Sequence, residues 1–66
     1  MAGDLESIRA RLESISEELA DLALDRLREA VAGDAGAPAA ERRLTRARRA
    51  VDKAAALLAS PEGDFE

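Results

Sequence analysis

The chain has 66 residues, 47% apolar and 36% charged, with no cysteine, no histidine and a formal charge of −4. That length holds one domain, and the missing residue types exclude disulfides and the commonest zinc, copper and iron ligands. A chain this short seldom exceeds about 3–5 kcal/mol of stability without a staple, so association with another chain is the staple left to it.

In chain order, Asp4 is placed as the N-cap of a first helix predicted over 4–32, a stretch without proline or glycine and rich in Leu, Ala, Glu and Arg. Its apolar residues Leu5, Ile8, Leu12, Ile15, Leu19 and Leu22 step by three and four, with Leu27 continuing the run, which sets them on one helical face. A turn is predicted over 33–37, with Gly33 ending the first helix in a left-handed conformation. Pro38 suits the first turn of a second helix over 38–59, which Pro61 stops. Here Leu44, Ala47, Val51, Ala54 and Leu58 form a second stripe. An acidic tail occupies 60–66, and Phe65, the only aromatic residue, is in reach of Leu5 and Ile8 if the tail folds back.

A loop this short makes the helices antiparallel neighbours. The fold class is therefore all-α: a two-helix hairpin expected to pair into a homodimeric four-helix bundle. The interface residues expected are Leu5, Ile8, Leu12, Ile15, Leu19, Leu22 and Leu27 on the first helix, with Leu44, Ala47, Val51, Ala54 and Leu58 on the second. Leu24, Val31 and Leu57 fall off these stripes and suggest a second, weaker contact face. Residues 1–32 carry eight acids against four arginines, and 38–59 carry six bases against two acids. An acidic helix beside a basic one suits antiparallel pairing within or between chains, setting register more than stability.

Arg26 follows Leu5, Leu12 and Leu19 at heptad spacing, so a cation falls on the apolar seam. An unpaired buried charge is expensive, and Glu29, one turn on, is the nearest counter-ion. The run from Ile8 to Arg26, Ile-Arg-Ala-Arg-Leu-Glu-Ser-Ile-Ser-Glu-Glu-Leu-Ala-Asp-Leu-Ala-Leu-Asp-Arg, resembles the first helix of the all-helical chorismate mutases. The resemblance implies a dimer binding a small anionic ligand, with Arg9 and Arg26 holding carboxylates. It departs from that family at Ser16, where an aspartate is usual, at Ala20 and Ala23, where leucines are usual, and in lacking the family's third helix.

The second helix carries Arg42, Arg46, Arg49 and Lys53 on the face opposite Leu44, Val51 and Leu58. Such a row can follow phosphates, which makes nucleic-acid binding the alternative reading. Against it stand the acidic total and the lack of an aromatic platform. The carboxylate pairs Glu13–Glu17 and Asp21–Asp25 lie off the stripe, and no histidine or cysteine is present to activate a serine. No enzyme and no cofactor is expected. The partner expected is a second copy or another helical protein. No run is apolar enough to cross a membrane and the start has no signal-peptide core, which sets the expected location in the cytoplasm.

Overall fold

The computed structural model describes residues 2–59, with side chains from Asp4 onward. It consists of two helices, α1 (Ala2–Val31, 30 residues) and α2 (Ala37–Ala59, 23 residues), packed side by side. The acidic tail 60–66, with Phe65, lies outside the described residues.

α1 begins at Ala2, so Asp4 lies within the first turn and is not the cap. Its negative charge complements the partial positive charge of the helix N-terminus there. The other end follows the expected pattern. Gly33 takes φ +105°, the Asp34 N–H donates to the Glu29 carbonyl (2.9 Å), and the Gly33 N–H donates to the Ala30 carbonyl (3.0 Å). These two bonds form a Schellman motif, which satisfies carbonyls that the helix end leaves without partners. The Asp34 carboxylate then accepts the Gly36 N–H at 2.9 Å, an Asx turn that delivers the chain into α2. α2 starts at Ala37, one residue earlier than its sequence suggests, with Pro38 in its first turn where a missing N–H costs nothing.

The described residues measure 48 × 24 × 11 Å, a single layer of two helices in which no described residue covers either broad face. Its seam is not centred on the Leu/Ile stripe. Among the residues drawn in are Leu12, Ser16, Leu19, Ala23 and Ala30 on α1, and Ala37, Leu44, Val51, Ala55 and Leu58 on α2. Only Ala37, Ala55 and Ser16 are buried among the described residues. Small side chains let two backbones approach closely, so the narrow part of the seam is lined with alanine and serine. The seam is rotated by one heptad position, about 50°, from the middle of the α1 stripe. Leu12 and Leu19 turn inward, whereas Ile8, Ile15 and Leu22 flank the contact at 40%, 43% and 42% exposure.

Candidate interaction surfaces

At mid-seam a polar cluster crosses between the helices. The Ser16 hydroxyl donates to Asp52 Oδ1 (2.5 Å) and accepts from Arg48 Nε (3.1 Å), while Arg48 Nε lies 3.9 Å from Asp52 Oδ2. Ser16 is 5% exposed, and no buried side-chain polar atom among the described residues lacks a partner. A satisfied polar layer in an otherwise apolar seam fixes register, because sliding either helix by one turn strands its members. Sequence reading passed over these three residues. The signal was available in their spacing: Ser16 is one heptad from Ala23, the position at which α1 turns from bulky to small.

The polar layer also sets the level of every other residue. With Ser16 between Arg48 and Asp52, position 25 of α1 is level with about position 41 of α2. On α1, Ile8, Ile15 and Leu22 each precede a seam position by one residue; on α2, Ala40, Ala47 and Ala54 do the same. Because the helices are antiparallel, those two flanks share one broad face of the slab. Leu57, 50% exposed, extends this face on the outer side of α2. The result is a contiguous apolar face, rimmed by Arg11, Glu18 and Asp25 along α1 and by Arg43 on α2. Leu24, Leu27 and Val31 are also exposed and belong to the other broad face, near the turn. Among the expected interface residues, Leu12, Leu19, Leu44, Val51, Ala54 and Leu58 are half-buried within one hairpin. Leu5, Ile8, Ile15, Leu22, Leu27 and Ala47 are exposed.

Three of the four arginines of α1 are held by carboxylates. Arg9 bridges Glu6 (2.5 Å) and Glu13 (2.8 Å), Arg26 pairs with Glu29 (2.7 Å), and Arg28 reaches Asp25 (3.4 Å). The hydrogen bond that Arg9 donates to Glu6, with the charges of Glu6 and Glu13, holds the Arg9 guanidinium above its usual pKa range. The fourth, Arg11, donates to the Ser7 carbonyl at 3.4 Å. Arg26 thus meets the counter-ion expected for it. Arg9 and Arg26 are not brought together: 17 positions of one helix separate them by about 26 Å, too far for both to grip one small ligand within one hairpin.

α2 behaves differently. The side chains of Arg42, Arg43, Arg46, Arg49 and Lys53 have no ion pair or hydrogen bond with any described residue. Four of these arginines, with Ala39, Glu41 and Thr45, line an open groove on the outer side of the helix. Glu41, the one acid there, accepts the Thr45 hydroxyl at 2.8 Å. Among the described residues no cluster of three or more acids is disposed to hold a metal ion, and no helix is long and apolar enough to cross a membrane. No known family model, curated protein or solved structure matches the chain.

Proposed function

We propose that the chain is a non-enzymatic interaction module whose apolar face closes on a second copy to form a four-helix bundle. The observation that carries this is the face itself. Ile8, Ile15, Leu22 and Leu57 each keep two-fifths to one-half of their surface open, and no described residue lies over them. Contiguous apolar surface rimmed by charge is the signature of an interaction site.

Charge selects the second copy and its orientation. A two-fold axis parallel to the helices lays α2 of one copy over α1 of the other. The Asp25 rim of one chain then meets Arg43 of the second copy within about two residues, or about 3 Å, along the axis. The same operation sets Leu57 of the second copy over the Ile8 end of α1. The alternative, α1 over α1, does not set Arg43 of the second copy opposite Asp25. Asp25 and Arg43 lie on opposite rims within one hairpin and form no pair there.

The test is sedimentation equilibrium of the whole chain with circular dichroism, for the wild type, Asp25→Arg, Arg43→Asp and the double exchange. Self-association that each single variant weakens and the double exchange restores supports the bundle. A single-copy species at every concentration, with helicity independent of dilution, overturns it.

A further inference from the structure

We infer that the outer ridge of α2, made of Arg42, Arg46, Arg49 and Lys53, is a binding surface for the phosphate backbone of nucleic acid. The bundle contact proposed above uses Asp25, Arg43 and the apolar face, and none of the four ridge cations.

The first argument is the contrast between the helices. Arg9, Arg26 and Arg28 of α1 each hold a carboxylate one turn away, the arrangement that neutralises a solvated helix face. The ridge has none: no described carboxylate lies within 4.0 Å of its four cations. The Arg48–Asp52 contact and the Glu41–Thr45 bond hold the two acids of α2 in other interactions.

The second argument concerns the kind of partner. A protein interface needs buried aromatic or aliphatic anchors among its charges. Besides arginines the groove is lined by Ala39, Thr45 and Glu41, with no aromatic or large aliphatic side chain among them. A file of cations with no apolar anchor suits a polyanion instead, and guanidinium forks match phosphate oxygens in a bidentate way. From Arg42 to Lys53 the ridge spans about 17 Å, the axial length of about five phosphates on one strand.

Within the acidic total of −4, Glu41 lies in the groove itself, where it accepts the Thr45 hydroxyl, while the acids of α1 act at long range. The unpaired acids Glu17, Glu18 and Asp21 sit on the outer side of α1, across a slab 24 Å wide. That is more than two screening lengths at 0.1 M salt, where the Debye length is about 10 Å. No aromatic residue occurs among the described residues, so there is no stacking platform and binding is indifferent to sequence.

The experiment is fluorescence anisotropy of a labelled 20-base-pair duplex of arbitrary sequence, titrated with the whole chain between 50 and 200 mM salt. Four phosphate contacts predict a log–log salt slope of about −3.6, or about 150-fold weaker binding across that interval. Arg42→Ala/Arg46→Ala/Arg49→Ala should reduce the slope to about −0.9 and remove most of the affinity. The same three positions changed to lysine should keep the slope, and circular dichroism should show both variants helical. No anisotropy change at 50 mM salt overturns the proposal, as does binding that survives the alanine variant. Equally decisive against it is an alanine variant that alters sedimentation mass while the wild type ignores the duplex, which makes the ridge an edge for the acidic side of another copy.

Discussion

Replacing Ile15 and Leu22 together by alanine tests the apolar face with the least disturbance to the helix, since alanine is the strongest helix former. The two side chains remain 43% and 42% exposed in one hairpin. Full burial of an aliphatic side chain of this size contributes about 1.5–3 kcal/mol, so a partner has about 0.6–1.3 kcal/mol left to gain at each. Two residues on each of two copies give about 2.5–5 kcal/mol, or about 60- to 4,000-fold in the dimer dissociation constant. Alanine keeps its own methyl, which places the expected loss in the lower half of that range. Sedimentation equilibrium reads the constant directly. Leu24→Ala/Val31→Ala is the control, because it removes comparable exposed side chains from the opposite broad face. The reasoning fails if both double variants weaken association equally, or if the Ile15/Leu22 variant stays within threefold of the wild type.

Four further substitutions probe the seam and the turn. Ser16→Leu forces a bulky side chain into the narrowest part of the seam and should cost about 1–3 kcal/mol in urea unfolding. Ser16→Ala should cost about 1 kcal/mol, because Arg48 and Asp52 are half exposed and water can replace the hydroxyl; a larger cost for alanine than for leucine contradicts the close-packed seam. Gly33→Ala should lower thermal stability by about 1–2 kcal/mol through its φ of +105° alone, since the added methyl meets nothing within 4 Å. Leu19→Asp puts a charge at mid-seam and should abolish both the helical signal at low concentration and association; a folded, associating variant refutes the assigned seam.

The helices and their junction were legible because their signals are local. Leu, Ala, Glu and Arg without interruption, then Gly33 and Pro38, constrain backbone geometry wherever the chain finds itself. Asp4 misled because a cap and a first-turn acid look alike in sequence, and both are favourable at a helix start. The rotation of the seam was not legible from the apolar stripe. Periodicity reports which side of a helix avoids water, not which neighbour covers it, and only part of the stripe here meets the other helix. Leu12 and Leu19 face the other helix, while Ile8, Ile15 and Leu22 lie beside it. Ser16, Ala23 and Ala55 carry the missing information, since small residues at heptad spacing mark close approach. The basic row on α2 was visible as a pattern, but its lack of counter-ions depends on where Glu41 and Asp52 turn, which only the packed pair of helices determines.

The thinness of the slab bears on how long such a chain survives. With only two alanines and one serine buried among the described residues, a lone hairpin has little to protect its backbone amides from opening. Cleavage by a protease tracks the population of open chains, and any species that binds the closed form lowers that population by mass action. Turnover would then depend on abundance: copies in excess of whatever covers the apolar face are degraded first, and the assembled fraction persists.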